Sequence, residues 1–221
     1  MNYFIKKKIV RARDFAIYKK HDIIAYFTNK PMPIDSEAKF VVSIASYPKR
    51  DPLLPAVFQA LSKQTLVPKK WILVLSREDY SLGLPARLRK LENRGVEVVM
   101  VENNPYAVKK LIPVVEKFPD LAVVTLDDDI IYHSSLIKGL VQYSEKDKTA
   151  IIGYAGKAMV KRNNELHLYY REKEQASIRT PSEQVYLIGW GGVYYPPISL
   201  DKRFLDIEAV HKIVPGRGSD F

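Results

Sequence analysis

Apolar residues arrive along this chain in short blocks, and the spacing inside each block predicts its element. Residues 1–27 interleave Tyr3, Phe4, Ile5, Ile9, Val10, Phe15, Ile17 and Tyr18 with Lys6, Lys7, Lys8, Arg11, Arg13, Lys19 and Lys20, which predicts a helix. The run from Thr28 to Pro33 ends it, because proline cannot continue a helix and biases its predecessor to extended backbone. A boundary is expected near residue 38. Phe40 to Ser46 is a buried strand, and Tyr47-Pro48-Lys49-Arg50 is the loop that follows. Leu53 to Ser62 carries an apolar helical face, and Trp71 to Ser76 is a second strand ending in Arg77-Glu78-Asp79. Pro85 to Asn93 is a short helix; Gly95 turns into a third strand over 96–101. A helix is expected over 107–118, kinked by Pro113, and another from Ser134 to about Glu145.

Between those two helices lies the segment that organises the rest. Val123-Val124-Thr125-Leu126 suits a strand buried on both faces. It stops at Asp127-Asp128-Asp129 and resumes as Ile130-Ile131-Tyr132. Strands alternating with helices at this spacing predict a parallel sheet with right-handed crossovers. After Thr149 the pattern changes. Residues 150–160 and 166–171 read as paired strands about Lys161-Arg162-Asn163-Asn164, whose asparagines are turn chemistry. Val185 to Ile188 leads to Gly189-Trp190-Gly191-Gly192 and then to Val193-Tyr194-Tyr195-Pro196-Pro197. A last helix is expected over 204–212. The sequence then stops at Phe221 with no closing element, which reads as a chain cut short.

Composition narrows the chemistry. With 221 residues and 47% apolar content the chain can bury a substantial core. It has no cysteine, so a disulfide framework, a thiolate metal site and a thiol nucleophile are excluded. No apolar run reaches the roughly 18–20 residues of a membrane span, and the N-terminus has no signal-peptide core. The net charge is +10, of which residues 1–30 carry +6, with eight Lys or Arg against two Asp. Such a basic arm fits an anionic membrane surface or a solvated face of a packing helix.

Three adjacent carboxylates repel one another and resist burial unless a cation or hydrogen bonds compensate. Placed where a core strand ends, they sit at the edge where open α/β sheets bind ligands. Hard oxygen donors suit Mg²⁺ or Mn²⁺, and such ions suit a diphosphate. In an extended segment Asp127 and Asp129 would share a face while Asp128 points away. Asp129 is therefore assigned to the metal, Asp127 to the metal or the ribose, and Asp128 to support on the nucleotide side.

At this point the chain resembles a family. A buried strand ending in an Asp-x-Asp signature, about 85 residues after the first strand, is similar to the GT-A fold nucleotide-diphospho-sugar transferases. The phrase from Thr125 to Tyr132 resembles bacterial family-2-type glycosyltransferases of surface polysaccharide synthesis. Ser46 to Arg50, Lys109 to Pro113, and Gly191 to Pro197 agree with it in order. The resemblance covers 39–221 and implies an α/β GT-A domain with a mostly parallel central sheet, preceded by a basic arm over 1–38.

It also implies roles. Ala45, Ser46, Tyr47 and Arg50 would frame the nucleobase of a nucleotide-sugar donor such as a UDP-sugar, with Arg77 to Asp79 nearby. Lys109 or Lys110 would meet the diphosphate as a point charge. Trp190, Gly191 and Gly192 would border the donor sugar and a glycan or lipid-linked acceptor. The catalytic base of an inverting transfer falls at Asp220, in Ser219-Asp220-Phe221, where similar proteins carry an acidic pair and a following helix. Here a serine stands in place of the first acid. The implied setting is cytoplasmic, at the inner face of the membrane.

Other readings stay open on the sequence. One is a basic binding protein for membrane or nucleic acid, although no RNP-like, zinc-finger or helix-turn-helix signature is present. Another is an aspartate-nucleophile phosphotransferase, for which Ile131 stands where a threonine is wanted. A third is a transferase fold that has lost catalysis. The four histidines show no ligand spacing; His133, close to the acids, is either a metal contact or a surface residue at a helix entry.

Overall fold

A computed structural model describes residues 3–102, 106–162, 165–168, 182, 185–197, 199–200, 202–206 and 208–209. The elements are α1 (Tyr3–Phe27), β1 (Phe40–Ala45), α2 (Leu54–Leu61), β2 (Trp71–Ser76), α3 (Ala86–Asn93) and β3 (Val96–Val101), then α4 (Ile112–Lys117), β4 (Ala122–Leu126) and α5 (Leu136–Ser144). Five short strands follow: β5 (Ile152–Gly153), β6 (Gly156–Arg162), β7 (Glu165–Leu168), β8 (Val185–Leu187) and β9 (Val193–Tyr195).

The central sheet has the order β3-β2-β1-β4-β9-β5. Its first four strands are parallel, and β9 runs antiparallel between β4 and β5. This is the expected mostly parallel α/β architecture. β1, β2 and β4 are buried on both faces, which is why their sequences are continuous apolar runs rather than alternations. One face packs Ile44, Leu73, Val124 and Leu126 against Leu54, Phe58 and Leu61 of α2 and Ile137 and Leu140 of α5. The other packs Val41, Ile72, Val74 and Val123 against Leu111 and Val114.

The strand expected over 150–160 is divided: β5 joins the central sheet beside β9, whereas β6 pairs antiparallel with β7 as far as Arg162 and Glu165, and β8 adds to its other side as a separate three-stranded sheet. The helix expected over 107–118 is divided. Tyr106–Lys110 form a 3-10 turn and α4 starts at Ile112. Pro113 therefore falls in the first turn of α4, where its missing N–H is no loss, and it starts a helix instead of kinking one. Of the last expected helix, Phe204 and Leu205 lie in a 3-10 turn, and the part beyond Ala209 lies outside the described residues.

The arm is tied to the domain. Ala25 is buried, and Tyr18 donates a hydrogen bond to the Pro52 carbonyl at 2.9 Å. Met32 and Ala38 belong to the main core. The Trp71 indole donates to Pro33 O at 2.7 Å, and Arg94 Nε to Lys30 O at 2.9 Å. Packing is thus continuous across residue 38.

Candidate functional site

The strand order reverses between β1 and β4, so the crevice of the sheet opens beyond their C-terminal ends. Their register pairs Ile44 with Leu126. Two residues further on, Ser46 Oγ donates to Asp128 Oδ2 at 2.7 Å. The three acids no longer follow strand alternation, because β4 ends at Leu126 and Asp128 and Asp129 lie in a turn. Each turns to a different partner. Lys110 Nζ meets Asp127 Oδ1 at 2.8 Å, and Arg50 forms an ion pair with Asp129.

The partners come from two loops: the 3-10 turn Pro48–Arg50 after β1, and Tyr106–Lys110 after β3. Burial raises the pKa of Asp128, and the neighbouring Asp129 adds to that, while the Ser46 hydrogen bond and Arg50 oppose it. Arg50 is held above its already high value, first by its hydrogen bond with Tyr47 and then by Asp129. Lys109 is buried, and desolvation lowers its pKa against the opposing pull of Asp79, Asp128 and Glu78. Its ammonium donates to Ser76 Oγ at the end of β2, at 3.2 Å.

The turn is braced from behind. The Asp127 amide donates to the Tyr132 hydroxyl at 2.9 Å. Gln64, in the loop after α2, donates to His133 O at 2.7 Å and accepts from the Ile137 amide at 3.1 Å. The Thr65 amide adds a bond to Ser134 O at 2.8 Å. Backbone groups that the acidic loop leaves free are thereby satisfied. His133 itself is exposed and bonds Ser135 Oγ through Nδ1 at 2.8 Å, so it serves the entry to α5.

The structure thus brings together Ser46, Tyr47, Arg50, Lys110 and the three acids. Ala45 ends β1 immediately before them. Tyr47 is 43% exposed and bonds Arg50. Arg77 is not among them: it pairs with Glu102 at 2.5 Å, with both side chains well exposed. Asp79 acts on the site through its charge on Lys109. Asp220 lies outside the described residues.

Gly191 and Gly192 are buried, and their lack of a side chain serves packing. A Cβ on Gly191 would lie 2.8 Å from the Ala155 nitrogen, and one on Gly192 would lie 2.9 Å from Leu126 Cδ2. Gly192 also has φ +76°, a conformation glycine adopts without strain. These contacts seat the Gly189–Gly191 turn against the end of β4, next to the first acid. Trp190 is not core filler there; it is 55% exposed.

Residues that composition and spacing did not single out include Asp51, Tyr80 and Gln64. Tyr80 donates to Asp51 Oδ1 at 2.6 Å, a bond that fixes the turn after Arg50. Burial raises the pKa of both groups. Asp51 stands next to Arg50 in the sequence, the only local signal for it.

Among the described residues no three His, Asp or Glu side chains gather closely enough to chelate an ion alone. The turn offers one or two carboxylates. That donor set matches Mg²⁺ or Mn²⁺ when substrate phosphates complete the coordination.

No family model matches the chain, and no curated protein matches it. Among solved structures it is similar to CMP:2-keto-3-deoxy-manno-octonic acid synthetase complexed with CTP, with 13% identity and a TM-score of 0.47. That match covers 80% of this chain and 84% of the other.

Proposed function

We propose that the chain binds a nucleoside diphosphate-sugar, such as a UDP-sugar, at the β1–β4 crevice and transfers the sugar to a glycan or lipid-linked acceptor. The observation that carries this reading is the matched set at the acidic turn. Three carboxylates stand at the switch point of a parallel sheet, and Lys110 and Arg50 reach them from two different loops.

A diphosphate needs that combination. Lys110 and Arg50 can leave Asp127 and Asp129 for phosphate oxygens, Arg50 as a planar fork and Lys110 as a point charge. Asp127 and Asp129 would then hold Mn²⁺ or Mg²⁺, which supplies charge neutralisation on the leaving diphosphate. Ser46 keeps Asp128 in place, and the exposed Tyr47 can stack on a base. Trp190 offers an apolar face to a sugar ring.

In the transfer, an acceptor oxygen forms the new bond to the anomeric carbon as the bond to the diphosphate breaks. The acceptor proton passes to a base, for which the sequence supplies Asp220, and inversion follows from the single displacement. The nucleoside diphosphate leaves with the bonding pair.

The experiment is a comparison of nucleoside diphosphates with their monophosphates by equilibrium binding. A diphosphate preference of about tenfold or more is expected, abolished by Lys110→Met and by Arg50→Met. Equal affinity for mono- and diphosphates, or affinities unmoved by both substitutions, would overturn the reading.

A further inference from the structure

We infer that the outward face of α1 is a docking surface for an anionic lipid bilayer. The inward face is defined by the buried Ala25 and half-buried Tyr18 and His21. At 100° per residue, Ala16, Ile23 and Phe27 fall within about 40° of one another on the opposite side. Ile23 is 59% exposed and Phe27 77%. Lys19 lies beside that apolar ridge on one edge, and Lys20 and Arg13 lie on the other.

An apolar ridge rimmed by cations is what an interfacial helix presents, its ridge entering the acyl boundary while long basic side chains reach the headgroups. Charge decides the occupant. Arg13 and Lys19 pair with Asp14 and Asp22 at 3.1 and 3.6 Å, but these are exposed pairs of little strength, and residues 1–30 retain +6. A second copy of the same helix would bring like charges together, whereas an anionic surface gains from each cation. No helix among the described residues is long and apolar enough to cross a membrane, and in this proposal α1 lies along the surface.

Docking would bear on the crevice, because Tyr18 is bonded to Pro52, two residues from Arg50. The inference stands independently of which ligand that crevice takes.

The test is flotation of the intact chain with vesicles of phosphatidylcholine alone and with about a third phosphatidylglycerol added. Flotation with the anionic vesicles only is expected, weakened at least about tenfold in Ile23→Glu/Phe27→Glu and in Lys19→Glu/Lys20→Glu. All four side chains are exposed; unchanged thermal melting confirms that each variant folds, and the charge variant carries the test if the apolar one does not. Equal flotation with neutral vesicles, no flotation, or wild-type behaviour of the folded variants would overturn the inference. So would a concentration-dependent dimer that Ile23→Glu/Phe27→Glu dissolves, or a polynucleotide complex that displaces the vesicles.

Discussion

Asp128 is half-buried, and its ionised form is disfavoured by burial and by Asp129. Its folded pKa lies above the unfolded value of about 3.9. The stability it contributes is therefore complete below that value and is lost as pH rises through the folded pKa. At neutral pH the charge is a cost to folding. Asp128→Asn keeps an acceptor for Ser46 and removes the charge. Its melting temperature is expected to exceed wild type by about 2–4 °C at pH 7, with the gap closing as pH falls below about 4. A variant no more stable than wild type at pH 7 would show that the Ser46 bond and Arg50 already compensate the burial. The acids themselves were legible in the sequence, as a charge run breaking an apolar strand. Their partners were legible only in part. Arg50 stood out as a loop cation and Lys110 as one of a pair on an expected helix, but which acid each meets depends on how the turn at Asp128 and Asp129 leaves the strand direction.

Among the elements, the sheet was readable because each parallel strand is a short β-branched run bounded by turn residues, as in Val96 to Val101 after Gly95. Where β9 belongs was not. Val193-Tyr194-Tyr195 carries no signal that it inserts antiparallel between β4 and β5, since that is fixed by close contacts at Gly191 and Gly192. Those glycines read in the sequence as an approach to ligand, and the structure gives them a packing role. Two substitutions separate conformation from packing. Gly95→Ala meets only the strain of φ +92° and should cost about 1 kcal/mol. Gly192→Ala adds a Cβ 2.9 Å from Leu126 Cδ2 to its own positive φ and should cost about 2–4 kcal/mol by urea unfolding. Equal costs at the two positions would mean that Leu126 yields freely, and β9 would not be fixed by this contact.

For the whole molecule, the sequence predicts a basic arm over 1–38 followed by an α/β domain, and hydrogen bonds and core contacts run between the two. Backbone carbonyls of Lys30 and Pro33 accept from Arg94 and Trp71, long-range pairings that no local pattern encodes. The switch-point crevice and the Gly189–Gly191 turn meet at the end of β4, and the proposal for them is electrostatic: the acidic turn would receive a divalent ion carrying a diphosphate. Isothermal titration of UDP into the chain, with Mn²⁺ and again with the metal chelated, tests that claim most directly. The account predicts binding in Mn²⁺ that weakens about tenfold or more on chelation and to the same extent in Asp129→Ala. UDP affinity that is absent in Mn²⁺, or unchanged by both chelation and Asp129→Ala, would contradict it.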